Sequence, residues 1–168
     1  AIQSLSADNA SAQLISIIPR LKRPLNKAEM SLLGSQISNP KVKEGLGKLL
    51  ADPTRQLSLL KTTEQMDAKL AADQELGTMV GNACHAVLKN QPSKENQLLV
   101  LRLAAKFRIK SLEAPVKKWL LTENRTVAEI QSGLHALSEM RSQSRDLYEK
   151  LYQHSDPQIK RLAIIALA

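Results

Sequence analysis

The sequence predicts an all-α fold, an α-solenoid or superhelix of stacked antiparallel helical hairpins. Three observations predict it. Apolar residues recur every three or four positions along most of the 168 residues, the period of a helix with one buried face. Aromatic residues make up only 2% (Trp119, Tyr148, Tyr152 and Phe107), and the β-branched residues are scattered, so no alternating strand pattern emerges and the core must be Leu, Ile, Val and Ala. Leu103, Leu134 and Leu167 hold similar places in successive helix pairs, about 30–33 residues apart, which is the length of one helical hairpin. One such hairpin cannot bury its apolar side alone, whereas stacked neighbours can.

The elements follow in order. Residues 1–10 are small and polar, and read as a flexible lead-in. From Ser11 the spacing of Leu14, Ile15, Ile17, Ile18 and Leu21 predicts a helix, which Pro19 should kink or divide and Pro24 should end. Asn26 is a suitable N-cap for a helix carrying Leu32, Leu33 and Ile37. Asn39-Pro40 places a cap before a proline at the first helical position, and Val42, Leu46, Leu49 and Leu50 follow on one face. Asp52-Pro53 repeats that punctuation ahead of Leu57, Leu59 and Leu60. Residues 62–75 are polar apart from Met66 and Leu70, either a longer connection or a partly exposed helix.

A helix from about Leu76 to Leu88 comes next, then a turn at 90–93 in which Ser93 caps a helix bearing Leu98, Leu99, Leu101, Leu103 and Phe107. Further helices are predicted over about 112–121, with Val116, Trp119 and Leu120, and over 126–140, with Ile130, Leu134, Leu137 and Met140. A helix with Leu147, Tyr148 and Leu151 precedes a last one opened by Asp156-Pro157. The chain from 11 to 168 thus reads as one helical-repeat domain, irregular over 11–75 and more regular over 76–168. Its apolar, uncapped end at Leu167-Ala168 and its start at Ala1 lead us to expect a fragment of a longer chain.

Asp156-Pro157-Gln158-Ile159-Lys160-Arg161-Leu162-Ala163-Ile164-Ile165-Ala166-Leu167 resembles the second-helix signature of HEAT repeats: Asp, Pro, an aliphatic residue, a basic residue, then Ala and Leu. Asn39-Pro40-Lys41-Val42-Lys43 is similar, with Asn39 in the acidic place and with Gly45 and Gly47 loosening the helix. The hairpins at 76–108 and 112–140 fit by spacing. The resemblance implies a HEAT-like fold and an interaction role, in which Lys43, Lys160 and Arg161 pair with acidic residues of neighbouring repeats. A fainter resemblance is to the helical-repeat segments of large exported bacterial proteins with dehydrogenase-like and c-type haem domains. No haem attachment motif accompanies it, since Cys84-His85 lacks the first cysteine of C-x-x-C-H.

The net charge of +8 favours acidic partners without selecting one. Arg102, Lys106 and Lys110 lie at i, i+4 and i+8, one row of like charge if the helix runs that far, with Lys117 and Lys118 on the next helix. These five residues are the candidate partner- or anion-binding set, weighed against a merely solvated, ion-paired face. The scarcity of aromatics counts against single-stranded nucleic acid.

Adjacent residues point about 100° apart on a helix, so Cys84 and His85 make a poor chelating or catalytic pair, and Cys84 reads as a small core residue among Val80, Ala83 and Val87. His135 and His154 are isolated. Trp119 reads as core beside Val116 and Leu120, and Tyr148 and Tyr152 could line one ridge. No catalytic, cofactor or metal site is assigned, and no stretch is long enough to span a bilayer.

The expectation is a non-enzymatic scaffold or spacer that contacts a protein partner or neighbouring domains of its own chain. The alternatives are a nucleic-acid-binding solenoid using the basic surface, and an accessory domain of an exported haem dehydrogenase. The sequence does not choose between the bacterial cytoplasm and an exported, periplasmic setting.

Overall fold

In a computed structural model of the chain, residues 7–18, 23–90, 92–122 and 124–167 are described. All regular structure among them is helical. The chain divides into two compact units, Ala1–Pro92 and Ser93–Ala168.

The first unit holds α1 (Ala7–Ile17), α2 (Lys27–Ser35), α3 (Pro40–Ala51), α4 (Gln56–Glu64) and α5 (Gln74–Lys89), with a 3₁₀ turn at Leu70–Ala72. The first helix starts inside the expected lead-in. The reason lies in Ala10, which is buried with Leu14 and Ile18 and so carries their i, i+4 stripe back one turn, while Ser11 is buried beside it. The expected kink at Pro19, and Leu21, fall outside the described residues.

Asn26 caps α2 through a full capping box. Its side chain accepts from the Glu29 N–H, and the Glu29 carboxylate accepts from the Asn26 N–H; such caps contribute about 1 kcal/mol. Asn39 caps α3 ahead of Pro40. Asp52-Pro53 opens a turn rather than the helix itself: the Asp52 carboxylate accepts from the N–H and hydroxyl of Thr54, and α4 begins at Gln56. The polar stretch after it divides between the end of α4, where Thr63 is buried and donates to Leu59 O, a turn holding buried Met66, and α5, which starts at Gln74 under an Asp73 cap.

Packing in this unit joins both successive and next-but-one helices. α1 lies on α2 and α3, α2 on α4, α3 on α4 and α5, and α4 on α5. Met30, Leu33, Val42, Leu46, Leu60, Leu76 and Val80 form its core. Gly45 does not loosen α3; a Cβ there would stand 2.6 Å from Cγ2 of Ile15, so the glycine is what lets α1 approach.

The second unit holds α6 (Lys94–Phe107), a 3₁₀ turn at Lys110–Leu112, α7 (Glu113–Leu120), α8 (Val127–Glu139), α9 (Arg145–Tyr152) and α10 (Pro157–Leu167). Ser93 caps α6, and Thr126 with Glu129 forms a second capping box on α8. α6 packs on α8, α8 on α7 and α10, and α9 on α10. Leu103 and Leu134 are buried on α6 and α8, with Leu112, Ile130, Leu137, Met140 and Ile159 around them. The side chain of Leu167 lies outside the described set.

The units divide at 92/93, not where periodicity sharpens at 75/76. The helix responsible is α5, whose buried Leu76, Val80, Cys84 and Val87 belong to the first unit, where it packs on α3 and α4.

Candidate anion-binding surface

The five candidate cations all lie in the second unit, which carries 13 Lys and Arg against 8 Asp and Glu, a net +5. Residues 102–118 are its most basic stretch, with six cations and one carboxylate, Glu113. The structure breaks the expected row of Arg102, Lys106 and Lys110. α6 ends at Phe107, and Arg108 turns the chain through a left-handed backbone at φ 51°. Lys110 therefore sits on the 3₁₀ turn and not on the helix that carries Arg102 and Lys106.

What the fold does assemble is a cluster around Glu113. Lys117 forms an ion pair with this carboxylate from one turn further along α7, and Ser142 donates to it at 2.7 Å from the connection after α8. Ser142 is in turn hydrogen-bonded to Ser144. The Lys117 ammonium first, then the Ser142 hydroxyl, hold the Glu113 carboxyl below its ordinary range, and the charge of Lys110 adds to this. Lys118 is exposed on α7, a third of a turn from Lys117. Of the candidates, then, Lys117 pairs with Glu113 directly and Lys110 acts on it only through its charge, while Arg102 and Lys106 lie on the separate helix α6.

A second polar cluster was not legible. Trp119 is only half-buried, and its indole donates to Gln97 Oε1 at 2.7 Å. The Arg125 guanidinium stacks on the ring, 4.3 Å from its centroid, and also donates to Gln97. Arg125 reaches Glu129 at 3.7 Å with both side chains nearly buried, at 12% and 8% exposure. Lys94 approaches the same carboxylate. The Thr126 N–H, above all, keeps the Glu129 carboxyl low. This network ties α6 to the start of α8 through the end of α7, and it occupies one face of the indole.

Cys84 is fully buried, and burial pushes its thiol up to about 12, so it is no ready nucleophile. His85 beside it is half-buried. His135 and His154 are exposed, and among the described residues no three His, Cys, Asp or Glu side chains come together as a metal site. Tyr148 and Tyr152 do not share a ridge: the first is buried and the second is 52% exposed. Of the signature cations, Lys43 on α3 pairs with Glu75 on α5 at 2.7 Å. No described helix is long and apolar enough to cross a membrane.

No family model matches the chain, and no characterised protein or solved structure is significantly similar to it.

Proposed function

We infer that the chain is a non-enzymatic helical-repeat module of the HEAT-like kind, an α-solenoid that works by contact with a protein partner or with neighbouring domains of its own chain. The observation that carries this is serial packing. Within the first unit α1 lies on α3 and α3 on α5; within the second, α6 lies on α8 and α8 on α10. Polar contacts join residues one hairpin apart in the same way: Lys43 to Glu75 across 32 positions, Arg108 to Glu139 across 31, and Ser142 to Glu113 across 29. Stacked hairpins need such nearest-neighbour links, because each repeat is stabilised by the repeats on either side of it. A duplex-binding role has the six cations of 102–118 in its favour, but Glu113 and Glu139 stand among them.

Deleting the last hairpin, α9 with α10, tests the repeat architecture. The helicity of the remainder should survive, with a proportionate loss of stability in urea. Loss of all cooperative structure on that single deletion would point to a closed bundle and sink the proposal. The non-enzymatic part fails separately, if a reaction is found whose rate collapses in Cys84→Ala or His85→Ala.

A further inference from the structure

Two helix ends in the second unit share an unusual feature. α6 is followed by Arg108 at φ 51° and α8 by Arg141 at φ 53°. Both ends close with the same pair of bonds. After α6, the N–H of Arg108 donates to Ala105 O and that of Ile109 to Ala104 O. After α8, the N–H of Arg141 donates to Ser138 O and that of Ser142 to Leu137 O. This double closure belongs to left-handed helix caps, a position glycine fills without steric cost. An arginine there is strained, and strain kept in a fold points to a use for the side chain.

Both side chains are available. That of Arg108 is 64% exposed, and its one side-chain partner among the described residues is Glu139 Oε2 at 3.4 Å, which occupies one of the five guanidinium donors. Arg141 is exposed, and its guanidinium has no ionic or hydrogen-bonding partner among the described residues. Glu139 ends α8 and Arg141 follows two residues on, so the Arg108 contact brings the ends of α6 and α8 side by side. Lys110, also exposed, follows Arg108 on the same connection.

We propose that Arg108, Lys110 and Arg141 form a docking edge for an acidic protein segment laid across the ends of α6 and α8. Packed helices lie about 8–10 Å apart, a distance a polyproline II chain covers in one turn of three residues at about 3.1 Å each, so carboxylates at i and i+3, on the same side of such a chain, reach both arginines. Guanidinium forks suit carboxylates. Protein carboxylates fit better than nucleic acid for two reasons. Glu113 and Glu139 interleave with the cations, which isolated acidic side chains can avoid, whereas a duplex presents a charge every ~1.7 Å of its axis. Single strands need aromatic platforms, and this unit offers few: one face of Trp119 is already taken by Arg125, and Tyr148 is buried.

The proposal rests on the repeat architecture inferred above, which makes the two caps equivalent. The test uses the full chain and a labelled proline-rich peptide with glutamate at every third position, which keeps the carboxylates on one side of a polyproline II helix, at low salt. The chain should bind it, and Arg108→Gly combined with Arg141→Gly should weaken binding about tenfold. The same variant should melt at a higher temperature, because glycine relieves both caps. Lys110→Ala, which leaves the caps alone, should also weaken binding. No binding by the parent chain, unchanged affinity in the variants, or a lower melting temperature in the glycine variant would each overturn the proposal. So would a duplex DNA that binds more tightly than the peptide and is lost in the same variants. The hairpin deletion is scored on folding alone, so either inference can fail without the other.

Discussion

At the scale of single residues, burial decides chemistry. Cys84 has the side chain of a nucleophile and the setting of an alanine. Its thiol, ordinarily near 9.0, is pushed up to about 12 by desolvation, so the folded chain holds that proton to higher pH than the unfolded chain does. The corresponding stability is complete below about pH 9 and falls as pH rises from there towards 12. A thiol reagent at mildly alkaline pH should therefore label the native protein only at its opening rate, and denaturant should release full reactivity. Labelling as fast as a free thiol would show that Cys84 is not in the core. Glu129 shows the opposite outcome. It is buried yet ionised, because the Thr126 N–H and hydroxyl, Arg125 and Lys94 all face its oxygens.

At the scale of elements, close approach is bought with glycine. Gly133 faces α7, and a Cβ on it would stand 2.6 Å from Cδ2 and 2.9 Å from Cγ of Leu120, which is itself buried. Alanine favours a helix interior by up to about 1 kcal/mol, but overpacking costs about 1–3 kcal/mol. Gly133→Ala should thus be net destabilising in urea, and Leu120→Ala in the same chain should cost less than it does alone. Gly47 provides the contrast: a Cβ there meets only the terminal methyl of Met79, at 3.2 Å, so Gly47→Ala should be close to neutral.

Helix starts were partly legible because their signals are local: Asn26 and Ser93 announce their caps, while the capping boxes with Glu29 and of Thr126 with Glu129 emerge only in the structure. The end of α6 was not legible. Left-handed caps are normally marked by Gly or Asn, and an arginine at 108 gives no such warning. For the same reason the row through Lys110 looked continuous.

At the scale of the whole molecule, each unit encloses its own core, from Met30, Leu46 and Leu76 in one to Leu103, Ile130 and Leu137 in the other. Each is long enough to fold alone. Residues 1–92 and 93–168, made separately, should each be helical and unfold cooperatively; a disordered 93–168 fragment would show that its core depends on the other unit. The all-α class was plain from periodicity, and the spacing of Leu103 and Leu134 matches two helices that do pack together. The Trp119 network was hidden because Gln97 and Arg125 stand 22 and 6 positions from the tryptophan and carry no pattern of their own.

That network has a practical corollary. Trp119, Tyr148, Tyr152 and Phe107 all belong to residues 93–168, so the first 92 residues are optically silent in the near ultraviolet. The indole, stacked beneath a guanidinium and bonded to an amide, is a native fluorophore placed where α6, α7 and α8 join. Its emission follows the loosening of that junction with no label attached, while amide absorption follows both halves of the chain.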